Sequence, residues 1–150
     1  LAEIVDDCLG FVEAEARKRR VRLAADLPPL PPVLADRLML EQVLLNLIRN
    51  GMDAMSATPA ARRVLRISAE RRADEVVISI TDNGCGIAPE VRDKLFTAFF
   101  STKPEGMGIG LSICRSIIEF HRGRLWAEDN STAADRSGTI FSFTLPLDSA

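Results

Sequence analysis

Asn46-Leu47-Ile48-Arg49-Asn50-Gly51-Met52-Asp53 is the stretch whose reading decides the fold. It lies inside a helical pattern running from Leu38 to Met55. At about 100° per residue, Leu40, Val43, Leu44, Leu47, Ile48, Met52 and Met55 share one broad apolar face. Asn46, Asn50 and Asp53 fall at i, i+4 and i+7 on the opposite side, within about 60° of one another. Asparagine costs a helix up to about 0.7 kcal/mol against alanine, and glycine about 1, so a merely solvated face would be cheaper in Lys, Glu and Gln. Side-chain amides stacked one turn apart offer oxygens to a hard cation and polar hydrogens to an anion.

The rest of the chain sets bounds on that reading. A length of 150 residues suggests one domain, 1–150, with a real core, and 47% apolar with 27% charged residues suits a globular protein. A net charge of −2 gives no reason to expect nucleic-acid binding, and Arg17-Lys18-Arg19-Arg20 reads as a solvated helix end. No apolar run approaches the roughly 20 residues that span a bilayer, so no membrane contact is expected of this segment. Cys8, Cys85 and Cys114 are odd in number and widely spaced, which points to reduced thiols in a cytoplasmic setting. The chain opens at Leu1 without a methionine and already in a helical pattern, as expected for a piece of a longer protein.

Outward from the central helix, Leu1 to Lys18 has helical spacing and Val21 to Ala25 reads as a strand. Leu27-Pro28-Pro29-Leu30-Pro31-Pro32 is a turn-rich connector, Val33 to Ala35 a short strand, and Asp36 a cap for the long helix. Ala57 to Arg63 reads as loop, and Val64 to Glu70 with Glu75 to Thr81 as a hairpin. Pro89 opens a short helix through Phe99, and Ser101 to Gly110 is polar and glycine-rich. Leu111 to Phe120 is helical and stops at Gly123; Arg124 to Glu128 and Thr139 to Leu145 are closing strands. Mixed hairpins and helices predict an α+β domain with helices on one face of a mostly antiparallel sheet.

Two further motifs carry chemistry. Asp82, at a strand end before Gly84 and Gly86, can accept from an exocyclic amine while the glycines let backbone approach a flat ring. By itself, Asp82-Asn83-Gly84 also reads as an ordinary turn. Gly106-x-Gly108-x-Gly110-Leu111 opens a helix whose N–H groups suit polyphosphate, with Lys103 beside Ser101 and Thr102 able to add a cation and hydroxyls. By itself it also reads as a flexible loop. It is neither a Walker loop nor a dinucleotide fingerprint.

Taken in order, these motifs resemble the ATP-binding domain of sensor histidine kinases, within the gyrase, heat-shock chaperone, histidine kinase and MutL ATPase superfamily. Asn46 to Asn50 is similar to the N box, Asp82 to Ile87 to the first glycine box, Phe96 to Phe100 to the F box, and Gly106 to Leu111 to the second glycine box. Gly138 to Phe143 is similar to the closing strand, so the resemblance covers nearly the whole chain. It implies a two-layer α/β sandwich of the Bergerat type, with a mixed sheet of about five strands and three main helices on one face. It further implies an enzyme module that binds ATP and Mg²⁺ and donates the γ-phosphoryl to a histidine on a separate dimerisation domain. Residues 1–18 would join that upstream domain, and a response regulator would be the downstream partner. The fragment would be a monomer and its parent a homodimer. It would not autophosphorylate alone.

The resemblance also distributes roles. Asn50 would ligate Mg²⁺, with Asn46, Asn50 and Lys103 forming the catalytic set. The nucleotide would be lined by Asn46, Asn50, Asp53, Asp82, Gly84, Gly86, Ile87, Thr102, Lys103, Gly106, Gly108, Ile109, Gly110, Leu111 and Thr139. Two positions depart from relatives. Asn46 stands where gyrase-type members carry a glutamate general base, and it cannot take a proton at neutral pH, so hydrolysis should be slow. Asp53 stands where many histidine kinases carry Lys or Arg, so it is expected to accept from a metal-bound water or to orient a neighbour. Alternative readings are an anti-sigma-type serine kinase, a slow ATPase, or a nucleotide-sensing module without turnover. His121 lacks the following acidic residue of a phosphoacceptor and reads as a helix end favoured by the dipole. Trp126 is expected in the core and Cys85 as inert packing.

Overall fold

The long helix, α2 (Arg37–Ala54), starts where Asp36 turns extended and its carboxylate accepts the Met39 N–H at 3.0 Å. A computed structural model describes residues 1–31, 33–86, 110–130 and 138–147 of the chain. Leu40, Val43, Leu44, Leu47, Ile48, Met52 and Met55, the apolar face read from the periodicity, are all buried. Beyond the end of α2, the Arg63 guanidinium donates to the carbonyls of Ser56 and Thr58 and to that of Arg19, which stands just past α1 (Ala2–Lys18). One side chain thereby satisfies carbonyls at two helix ends.

Helix α1 buries Val5, Cys8, Val12 and Ala16, one per turn, against α2. The two helices run parallel. Glu3–Arg37, Glu15–Arg49 and Arg19–Asp53 are ion pairs with the same separation of 34 positions. Exposed pairs such as Glu3–Arg37 contribute little energy, but together they record the register.

Five strands form one sheet in the order β1-β2-β3-β5-β4: β1 (Arg22–Asp26), β2 (Val64–Arg72), β3 (Glu75–Asp82), β4 (Leu125–Asp129) and β5 (Thr139–Pro146). β1 pairs parallel with β2, and the other pairs are antiparallel. A parallel pair needs a crossover connection, and α2 is that crossover. In central β3, Ile78 and Ile80 face the helices while Ser79 bonds the opposing Ser142 hydroxyl at 2.9 Å. α3 (Gly110–Phe120) buries Cys114, Ile117 and Ile118 and packs against α2. The fold is therefore the expected α+β sandwich, with three α-helices against a five-stranded mixed sheet among the described residues. No helix among the described residues is long and apolar enough to cross a membrane.

Several local expectations change. Val33 to Ala35 makes no strand: Val33 has a single bridge, to Leu147, because the neighbouring prolines supply no N–H groups for a ladder. Ala57 to Arg63 contains a 3₁₀ turn, Ala60–Arg62. Arg19 is not a freely solvated helix-end charge, since it is half-buried against Asp53. Trp126 is half-buried on edge strand β4, with the Arg124 guanidinium 5.5 Å from its ring. The expected helix from Pro89 to Phe99 lies outside the described residues.

His121 does stand at the end of α3, as expected, but it is buried there and held by hydrogen bonds. Its Nδ1 lies 2.8 Å from the Ile117 carbonyl, to which it donates, and its Nε2 accepts the Asp36 N–H at 2.9 Å. Both contacts require the neutral Nδ1–H tautomer. The ring thus joins the end of α3 to the start of α2. His121→Ala leaves both groups without this partner and is expected to lower unfolding free energy by about 1–3 kcal/mol. Denaturant titration measures this; a midpoint unchanged from wild type would show the link to be dispensable.

Candidate functional site

Asp82 is the last residue of β3 and is 2% exposed. Its Oδ1 accepts the Gly84 N–H at 2.9 Å and the Thr139 N–H at 3.2 Å. Oδ2 receives no donor among the described residues and lies beside Gly51 of α2. Burial pushes this carboxyl up from 3.8 to about 6, with the Gly84 and Thr139 amides pulling the other way. Above that pH the strand end holds a buried negative charge with one oxygen spare to accept a hydrogen bond.

Gly51, a cost when judged by helix propensity, now has a structural reason. A Cβ there would lie 2.3 Å from Leu65 Cδ1 and 3.6 Å from Asp82 Oδ2. Its absence lets α2 press against the sheet beside the carboxylate. Gly84 acts alike from the other side, since a Cβ there would lie 2.4 Å from the Ala54 carbonyl oxygen at the end of α2. The Cys85 N–H donates to that same oxygen at 3.0 Å. Gly86 has φ +74°, which favours glycine.

Two residues that carried no sequence signal brace this corner. Asn83, the unspecified position between Asp82 and Gly84, accepts the Val64 N–H at 3.2 Å through Oδ1 and donates through Nδ2 to the Arg62 carbonyl. Asn130, buried in what read as a polar loop, donates to the Asp82 carbonyl at 2.9 Å, and its N–H reaches Gly138 O at 3.1 Å. The β2–β3 pairing brings Asn83 to Val64, and the pairing of Asp82 with Thr139 brings Asn130 to β3.

Of the other expected site residues, those described lie on α2, at the start of α3 and at the start of β5. Thr139 is buried and touches Asp82 through its backbone N–H. Asn50 and Asp53 are half-buried on α2, and Asp53 Oδ1 is 2.6 Å from Arg19 Nη1. Asn46 points its Nδ2 at the Cys114 Sγ of α3, 3.6 Å away. Burial pushes that thiol up to about 11, so it stays neutral. Gly110 and Leu111 open α3. Cys85 is exposed, contrary to the packing role expected of it. Ile87, Thr102, Lys103, Gly106, Gly108 and Ile109 lie outside the described residues, as do Ser101 and the Phe96 to Phe100 segment.

No three His, Cys, Asp or Glu side chains converge as a metal cluster among the described residues. A divalent ion beside α2 would take Asn50 as a protein oxygen and its other ligands from phosphate and water, a set that fits Mg²⁺.

Comparison with known proteins gives a consistent picture. Residues 35–149 match the family profile of histidine kinase-, DNA gyrase B- and HSP90-like ATPases. The C4-dicarboxylate transport sensor protein DctS of Rhodobacter capsulatus is 43% identical over 148 residues, which are 98% of this chain and 22% of DctS. The chain thus spans under a quarter of that relative. The catalytic domain of histidine kinase ThkA superposes with a TM-score of 0.84 at 32% identity, covering 97% of this chain and 91% of the domain. ThkA in complex with its response regulator TrrA superposes at 0.79 and 30% identity, covering 99% of this chain and 40% of that one. Full-length ShkA in complex with AMPPNP gives 0.83 and 26% identity, over 99% and 30%.

An acid raised on folding favours the folded state most at low pH, and that contribution fades as pH rises through the folded value. Asp82 therefore contributes least above pH 6, where its charge is buried. Asp82→Asn, without ligand, is expected to be more stable than wild type at pH 8 by about 2–3 kcal/mol, the gap closing towards pH 4. Denaturation midpoints at pH 4, 6 and 8 test this; a gap independent of pH would contradict the buried-charge account.

Proposed function

The chain belongs to the histidine kinase-, DNA gyrase B- and HSP90-like ATPase family, and on that premise we propose that it binds Mg·ATP and donates the γ-phosphoryl to a histidine on a separate dimerisation domain of its parent protein. The observation that carries this reading is the buried Asp82 carboxylate, with Oδ1 held by two backbone amides and Oδ2 spare beside Gly51. A carboxylate so held is a specific acceptor for the exocyclic amine of adenine. Ile87 would cover that ring.

From the adenine site the phosphates would run along α2, past Asp53, Asn50 and Asn46, towards the N–H groups of Gly110 and Leu111 where α3 begins. A helix start favours anions. Thr102, Lys103, Gly106, Gly108 and Ile109 would close over them. Mg²⁺, held by Asn50 together with the phosphates, would neutralise charge on the transferring group. In phosphoryl transfer the protein supplies mainly positioning and electrostatics, which suits a site with an amide, Asn46, one turn before Asn50. Asn46 supports that point twice: its side chain is an amide, and its Nδ2 is directed at a neutral thiol. Water would be poorly activated, and the γ-phosphoryl kept for the histidine. The ThkA–TrrA complex supports a response regulator as the next acceptor.

Two measurements test the reading. Calorimetry of Asp82→Asn should show ATP affinity reduced by at least about tenfold, because an amide NH₂ would oppose the adenine amine and a charge-assisted bond is lost. Unchanged affinity would remove the pocket assignment. Mixing this domain with the parent's upstream histidine-bearing domain and γ-labelled ATP should give acid-labile label on histidine. If label appears only as free phosphate, the domain is an ATPase instead.

A further inference from the structure

Arg19 is held in place from several sides. Its N–H donates to the Glu15 carbonyl at 2.9 Å, and its own carbonyl accepts from Arg63 Nη1 at 2.7 Å. Arg63 in turn grips the carbonyls of Ser56 and Thr58 past the end of α2. Arg20 then takes φ +57°, turning the chain into β1. The backbone of Arg19 is thus fixed between the ends of two parallel helices, and its guanidinium is directed at α2.

The target is Asp53, at 2.6 Å from Nη1. Asp53 lies three residues after Asn50 on the same side of the helix. The two side chains are 38% and 34% exposed, so the pair opens to solvent on that side. Among the described residues Asp53 is the only hydrogen-bond partner of the guanidinium, which leaves Nε and Nη2 with donors to spare. The local charge count makes that consequential. Asp53 puts a carboxylate one turn from Asn50 on α2, and Arg19 is the cation paired with it. An anion reaching Asn50 would meet repulsion unless that guanidinium also faced it.

We propose that Arg19, held in place by Asp53, binds the phosphate chain of the nucleotide, so that a residue beyond the end of α1 completes a site otherwise built on α2, β3 and α3. The inference rests on the Mg·ATP reading and deepens it. Asp53 is the positioning residue: it fixes one edge of the planar guanidinium and leaves the other edge to phosphate oxygens. A simple surface ion pair would need neither the backbone clamp on Arg19 nor a position beside the metal ligand.

The test separates phosphate contact from general packing. Wild type, Arg19→Gln and Arg19→Lys are titrated with ATP plus Mg²⁺ by calorimetry and with adenosine by chemical-shift perturbation. Arg19→Gln is expected to weaken ATP about tenfold and leave adenosine unchanged, with Arg19→Lys recovering only part of the loss. Equal weakening of ATP and adenosine would overturn the proposal in favour of a structural role, and unchanged ATP affinity would reduce the pair to a surface bridge. Absence of ATP binding by wild type would overturn the nucleotide reading and this inference with it.

Discussion

A carboxylate is buried at the end of the central strand, and the surrounding structure is arranged around that fact. Moving an ion out of water costs several kcal/mol unless hydrogen bonds replace its solvent. Here the replacement is partial. Two backbone N–H groups, from Gly84 and Thr139, serve Oδ1, and the Asp82 acidity still rises to about 6. The shortfall is a spare acceptor kept ready. Holding it requires β5 in register beside β3, so that Thr139 lies opposite Asp82, and Gly138 with a backbone that no side chain would permit. Asn130 adds a bond to the Asp82 carbonyl. Strand pairing, the tight turn after β3 and the return of the chain through β5 all meet at one residue.

Helix α2 serves the core and the site with opposite faces, which ties stability to function. Leu44, Leu47 and Ile48 anchor it on the sheet, while Asn46, Asn50 and Asp53 look the other way, towards α3 and the end of α1. Gly51 sets how close the helix comes to Asp82, so packing against Leu65 and the spacing between α2 and Asp82 are the same variable. A change that pushed α2 off the sheet would move Asn50 relative to Asp82 even if every site residue were intact. His121 holds the far end of the same helix through Asp36 and ties it to α3.

Most of this architecture was legible from local pattern. The α2 apolar face was read correctly because a period of 3.6 over five turns has few alternatives, and the β2–β3 hairpin followed from alternation and a short polar turn. Asp82 stood out as a charge at a strand end before glycines. What escaped were relations between distant segments. Nothing near Asn130 announces the Asp82 carbonyl 48 positions away, and nothing in the Arg17 to Arg20 run says that one of its four cations meets Asp53. Gly51 was visible as an anomaly of propensity, but its cause is a neighbour on another strand. The neutral state of His121 was hidden for the same reason: one of its partners is local and the other is Asp36.

Asn46 joins these strands of the argument. A side-chain amide has no proton-accepting form near neutral pH, and here its nitrogen faces a thiol that burial keeps neutral. The turn of α2 at Asn46 therefore has a fixed protonation state across the physiological range, while Asp82 titrates close to it. Under the proposed function this separates two properties that a hydrolase couples. Recognition of the base depends on a carboxylate whose charge is held under strain, whereas stability of the bound phosphates depends on an amide, Asn46, that cannot act as a base towards water. A phosphoryl donor needs that separation, because its acceptor arrives on another domain and the bound nucleotide must outlast the wait.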